Sequence, residues 1–167
     1  VYGIYLQRFL SSVELQTSGM FRAKNNVLNN VMTSAVEYNR KYAVMYDVSG
    51  VTDATMYAKI ISDWEYLVDT YDILNKPGYV KQNGKPVVAI WGIGFKDRGL
   101  TTATSQAIID YFKTNAALKY RAYVMGGVPE GWRTLSGASE IGADWTAVYN
   151  SLDMISPWSV GRYSNNS

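Results

Sequence analysis

The chain has 167 residues, 47% of them hydrophobic and 18% charged, and carries a formal net charge of +2. That length supports one domain with its own core, and the balance excludes disordered and collagen-like classes and gives no electrostatic reason to expect nucleic acid or an anionic membrane. Cysteine and histidine are absent, which removes disulfides, thiolate zinc sites, cysteine nucleophiles and Ser-His-Asp chemistry.

Residues 1–9 read as a first strand ending on the polar pair Gln7-Arg8, and residues 11–19 as a polar loop. Over residues 20–41 the apolar spacing turns helical, with Val27, Val31 and Ala35 sharing a face with Leu28 and Met32. Residues 42–46 form a second strand, closed by Asp47-Val48-Ser49-Gly50. Asp53 reads as the N-cap of a helix whose buried stripe is Met56, Ile60, Trp64, Leu67, Val68 and Tyr71. Residues 75–84 are rich in turn formers, and Asn83-Gly84 can close a small β arm with Tyr79-Val80.

The run from Val87 to Ile90 is apolar without alternation, the pattern of a strand covered on both faces in a parallel sheet. It breaks into Trp91-Gly92-Ile93-Gly94-Phe95 and the charged Lys96-Asp97-Arg98, a strand-to-helix loop of the kind that faces ligands. A helix over 102–119, a strand over 120–125, a glycine-rich loop over 126–133, a short helix over 145–152 and a strand over 154–158 complete the reading. No apolar segment approaches the roughly 20 residues of a membrane span. The chain reads as entering its first strand on Val1, with no signal peptide expected in it.

Strands starting near residues 3, 42, 86, 121 and 154 therefore alternate with helices, which makes the fold α/β. The spacing suits a (β/α)8 TIM-type barrel, in which eight units take about 250 residues, so about five of eight strands are present. An open doubly wound sheet is the competing reading. No Gly-x-Gly-x-x-Gly follows the first strand, which favours the barrel. The expected domain is residues 1–167, a partial barrel lacking its N-terminal start and its C-terminal strands.

In such a barrel the strand ends converge on one face. They carry Gln7 and Arg8, Tyr46 and Asp47, Trp91, and Trp158 with Arg162, while Trp132 lies in the loop after the fourth strand. Flat aromatic faces beside Asp, Gln and Arg are what a saccharide site needs, stacking on C–H surfaces and binding hydroxyls. The same residues have ordinary alternatives: Asp47 can cap its own loop through the Ser49 and Gly50 amides, and Arg8 can pair with a carboxylate of a neighbouring strand. Trp64 and Trp145, on helices, read as packing; Glu130 and the Lys96-Asp97-Arg98 run read as solvated loop. Asn165-Asn166-Ser167 fits a glycosylation acceptor.

Gln7-Arg8-Phe9, Met45-Tyr46-Asp47-Val48-Ser49-Gly50, Lys85-Pro86-Val87-Val88 with Trp91-Gly92-Ile93-Gly94-Phe95, Gly127-Val128-Pro129 with Trp132-Arg133, and Ile155-Ser156-Pro157-Trp158 with Val160-Gly161-Arg162 occur in this order. Together they resemble glycoside hydrolase family 71/99-like proteins, which include endo-α-mannosidase relatives and bacterial chains labelled xylosidase/arabinosidase. The resemblance implies a barrel that cleaves glycosidic bonds of oligo- or polysaccharides, with no cofactor and in a secreted or periplasmic setting. It implies a catalytic carboxylate pair on a later strand, in a segment like Glu-x-x-Glu-Gly-Thr. No such segment occurs here, so the acid and base are expected beyond residue 167, on the remainder of the same barrel, and this stretch alone is expected to be inactive. A non-catalytic carbohydrate-binding protein on the same scaffold is the alternative, and an independent α/β protein with a small-molecule pocket is a third reading.

Overall fold

The computed structural model describes residues 2–12 and 19–161. Five parallel strands, β1 (Gly3–Phe9), β2 (Lys41–Asp47), β4 (Lys85–Trp91), β5 (Tyr123–Pro129) and β6 (Met154–Trp158), lie side by side in chain order. The short β3 (Lys81–Gln82) folds back antiparallel on the start of β4. Its turn is Asn83-Gly84, with φ of 50° and 77°, the paired left-handed geometry that this dipeptide favours in hairpins. The expected arm therefore forms, with its pairing residues at 81–82 and 85–86.

Four helices alternate with these strands: α1 (Gly19–Glu37), α2 (Asp53–Asp69), α3 (Thr102–Asp110) and α4 (Trp145–Ser151). Adding each parallel strand in the same direction through right-handed crossovers brings every helix to one face. Side-chain parity agrees. Leu6, Val44, Tyr46, Val88, Ile90, Val124 and Val128 share one continuous core with Leu28, Met56, Ile60, Trp64, Leu67, Ile108, Phe112 and Val148. Each of the fully buried Met56, Ile60, Trp64 and Leu67 contributes about 1.5–3 kcal/mol of burial free energy.

The opposite face has no helix on it, yet Ala43, Val87 and Ala89 there are almost fully buried. The cause is curvature. Tyr5 of β1 reaches across β2 and β4 to donate a hydrogen bond from its hydroxyl to the Met125 sulfur of β5, 3.2 Å away. The small Ala43 and Ala89 lie on the strands between. The chain is thus a sector of a (β/α) barrel of TIM type, five strands wide, with the helix-free face concave.

Three details differ from the sequence reading. Val27 is 52% exposed while Phe21 and Asn25 are buried, so the inward stripe of α1 is rotated from the expected one. Asp53 is the first residue of α2 rather than its cap; its carboxylate accepts instead from the Thr101 amide at 2.8 Å and the Thr104 hydroxyl at 2.9 Å, tying α2 to the start of α3. The helix expected over 102–119 ends its α form at Asp110 and widens into a π turn over Tyr111–Asn115, which lets the consecutive Tyr111 and Phe112 both enter the core. A 3-10 turn at Leu118–Tyr120 then delays β5 to Tyr123.

Candidate functional site

The strand registers place Phe9, Asp47, Trp91, Gly127 and Ser156 in one row across the C-terminal end of the sheet. Partners in a parallel register point to the same face, and this row points to the concave one. Asp47 and Trp91 are direct neighbours in it. Trp158 follows one layer higher, opposite Pro129.

Gly127 is what lets Trp91 come in close. A Cβ on Gly127 would stand 1.9 Å from the indole Cε3, so the ring packs close against bare backbone. From there Trp91 meets Trp158 edge to face, centroids 5.4 Å apart and planes at 76°. Phe95 is tilted against Trp91, with centroids 6.4 Å apart and planes at 44°. These pairs have the offset geometry that aromatic quadrupoles favour.

The loop after β4 completes the wall. Gly94 turns at φ of 76°, and a side chain there would collide with the Tyr149 hydroxyl. That hydroxyl lies 3.0 Å from Ser139 Oγ and donates to the Gly94 carbonyl at 3.3 Å. Phe95 bridges antiparallel to Ser139, the Glu140 amide donates to Gly94 at 2.9 Å, and the Lys96 amide to Ala138 at 3.1 Å. The two loops are therefore zipped together. They frame a cleft of about 480 Å³ lined by Trp91, Phe95, Lys96, Asp97, Arg98, Ala138 and Trp158.

Asp47 sits beside this cleft as a held acceptor. One carboxylate oxygen accepts from Gln7 Nε2 at 2.6 Å and the other from the Ser49 amide at 2.8 Å. Its side of the loop is thus capped in part as the sequence allowed, through Ser49, while Gln7 stays exposed on the concave face.

Arg8 and Tyr46 leave the site. Both have even parity in their strands and point into the helix-side core, with no exposed surface. Arg8 donates from Nε to Asp63 Oδ2 at 2.6 Å, from Nη2 to Asp63 Oδ1, and from Nη1 to Asn25 at 3.1 Å. Its ion-pair partner belongs to α2, not to a neighbouring strand. Burial works against the charged guanidinium, but the Asp63 hydrogen bonds and charge outweigh it and hold the Arg8 pKa above its ordinary value. The Tyr46 hydroxyl is pushed well up, by burial first and the Asp63 charge second. Neither residue can meet a substrate.

Trp132 also stands apart from the cleft. Half-buried, it packs edge-on against Tyr149 at 6.1 Å, with the Arg133 guanidinium 5.1 Å above its ring. Trp64 and Trp145 are core residues as expected. Arg162 and the 165–167 tripeptide lie outside the described residues.

Sequence reading missed Asp63 and Asn25, placed Phe95 in a ligand-facing loop without naming it as a contact, and read the two cations of the cleft as solvated loop. Asp63 had a signal: it falls on the apolar stripe of α2, where a carboxylate needs a partner. Phe95, Lys96 and Arg98 had a weaker one, the glycine-separated aromatics before a charged run. Among the described residues no group of three or more carboxylates is placed to hold a metal, and no helix is long and apolar enough to cross a membrane. The cleft lining holds one carboxylate, Asp97, whereas hydrolysis by paired carboxylates needs two.

No protein-family model matches the chain, and no curated protein does. Among solved structures it is similar to the GH99 endo-α-mannosidase from Bacteroides thetaiotaomicron, with a TM-score of 0.53 and 13% identity over 92% of this chain and 37% of that one. The same enzyme in complex with BIS-TRIS-propane matches with a TM-score of 0.54 and 13% identity, over 92% of this chain and 39% of that one. The chain thus spans under two fifths of the length of these structures and shares the scaffold of a glycoside hydrolase. The likeness is one of fold, and it falls on the endo-α-mannosidase side of the resemblance drawn from the motifs.

Proposed function

We propose that this chain forms the aromatic wall of a saccharide cleft in a glycoside hydrolase barrel acting on oligo- or polysaccharides. The observation that carries the reading is the Trp91–Trp158 corner seated over Gly127 at the C-terminal end of parallel strands. That is the end at which βα barrels bind substrate. Trp91 and Trp158 supply stacking faces, and Asp47, pinned by Gln7, supplies an oriented acceptor on the next strand. The acid and base of hydrolysis belong to strands that continue the barrel past this sector.

Two features support further βα units beside it. β1 and β6 are the outer strands of the sheet. Beside β1, a groove of about 500 Å³ runs between Ile4, Val27, Val31 and Tyr38, with Ile4 50% and Val27 52% exposed. It lies where the helix of an adjoining unit would pack.

The test is a titration of the full-length protein with manno- and xylo-oligosaccharides, read by tryptophan fluorescence and calorimetry. Trp91→Ala should weaken binding about tenfold or more through the lost stacking face. Asp47→Asn, which turns an amide donor toward Gln7 or Ser49, should weaken it as well, and both should lower affinity far more than stability. Unchanged affinity with an equal loss of melting temperature would assign these residues to packing.

A further inference from the structure

The cleft that carries the proposed function is not electrically neutral. Of its seven lining residues, Lys96 and Arg98 are cations and Asp97 is the one anion. Asp97 is 69% exposed and engages Arg98 Nη1 at 2.8 Å, an exposed pair of little strength. Asp47, on the neighbouring strand, is not among the lining residues and accepts from Gln7 and the Ser49 amide. Glu130 accepts from the Ala138 amide of its own loop at 3.4 Å.

Arg98 is also held in place without being used up. Its guanidinium carbon lies 5.8 Å over the Phe95 ring, and its amide donates to the Phe95 carbonyl at 3.0 Å, closing a tight turn. Among the described residues, Asp97 is the one hydrogen-bond partner of the guanidinium, and Nε is buried with none. Lys96 Nζ reaches the Gly137 carbonyl at 3.0 Å, which occupies one of its three N–H groups. An oriented planar fork beside a second cation, with donors to spare, is built for an oxyanion.

Resting on the saccharide reading above, we propose that this cleft selects sugars carrying a carboxylate, that is, uronic acid residues. A uronate ring presents a flat C–H face for Trp91 or Trp158, and its carboxylate projects from the ring edge, where Arg98 and Lys96 stand. A neutral hexose offers the same face but gives the two cations only a hydroxyl.

The full-length protein is titrated with oligogalacturonate, oligoglucuronate and oligomannuronate, each paired with its carboxyl-reduced neutral counterpart. Polyglutamate serves as the anion without a sugar ring. At least one uronate should bind about tenfold or more tighter than its reduced partner, and the preference should shrink as salt rises. Arg98→Gln and, separately, Lys96→Gln should cut that preference severalfold, by losing more uronate affinity than neutral-sugar affinity, with the circular dichroism spectrum unchanged. Equal binding of every matched pair overturns the inference and leaves the saccharide reading standing. So does polyglutamate binding as tightly as the uronates, or a preference that survives both substitutions. Absence of binding by all saccharides, neutral ones included, overturns both.

Discussion

Arg8→Met is the perturbation that most directly tests how the core and the site divide the sheet between them. The side chain is fully buried and sends two hydrogen bonds to Asp63 and one to Asn25. Methionine fills similar volume, so cavity terms are small and the cost is electrostatic. Asp63, with 1% of its side chain exposed, is left charged and unpaired. Removing one partner of such a pair costs about 3–5 kcal/mol. For a chain of this size that lowers the melting temperature by about 6–20 °C. Urea denaturation followed by circular dichroism gives the free energy directly. Arg8→Met/Asp63→Leu should recover most of the loss, because it removes the stranded charge together with its partner. Saccharide affinity of the double variant should match the parent, since Arg8 faces the helices. A single variant within about 1 kcal/mol of the parent, or a double variant less stable than the single, would refute the reasoning.

Gly127→Ala forces a methyl into the Trp91 ring, whose Cε3 lies 1.9 Å from the position the new Cβ would take. It should cost about 1–3 kcal/mol in denaturant melts and shift tryptophan fluorescence as the Trp91–Trp158 corner opens. Tyr149→Phe removes the hydroxyl that joins Ser139 to Gly94 and should cost about 0.5–1.5 kcal/mol. Phe95 should then become more mobile, visible as faster amide exchange across the Phe95–Ser139 bridge. Alkaline stability follows from the buried phenols. Burial pushes Tyr42 from 10.0 up to about 12 and moves Tyr46 and Tyr79 in the same direction. Below pH 10 these groups are neutral in both folded and unfolded chains. Above it the unfolded chain ionises first, so the urea midpoint should fall as pH rises from 10 past 12. Phenolate absorbance at pH 11 should show Tyr42 and Tyr46 silent until unfolding.

Most of the scaffold was legible because its signals are local. The apolar run at Val87–Ile90, the stripe Met56–Ile60–Trp64–Leu67 and the Asn83-Gly84 turn each follow from propensity and period, and each appears in the structure. Gly126 and Gly127 were misassigned to a loop for a non-local reason. They continue β5 because Leu152 packs against one and Trp91 against the other, which no window around residue 126 contains. The site was half legible. Position at a strand end rightly implied that Asp47 and Trp91 lie side by side, but which face each strand-end residue takes is a matter of parity. Gln7 and Arg8 are adjacent in sequence and point to opposite sides of the sheet.

That parity also sets which side chains stand in the row at Asp47 and Trp91, to which we assign the proposed binding role. Along β1 and β2 the even positions Arg8 and Tyr46 are spent on the helix layer, where Asp63 and Asn25 complete Arg8. This anchors the strand ends from behind without placing any polar group of the core in the cleft. At the strand ends the odd positions are shaped by each other: Gln7 orients Asp47, and Gly127 seats Trp91. A one-residue slip of β1 against β2 would exchange the two sets, burying Gln7 and Phe9 and expelling Arg8 into the concave face. The Arg8–Asp63 pair sets against that slip the cost of exposing a paired charge and stranding its partner. The ion pair thus reinforces, without touching a ligand, a register that the buried Leu6, Val44 and Tyr46 already favour.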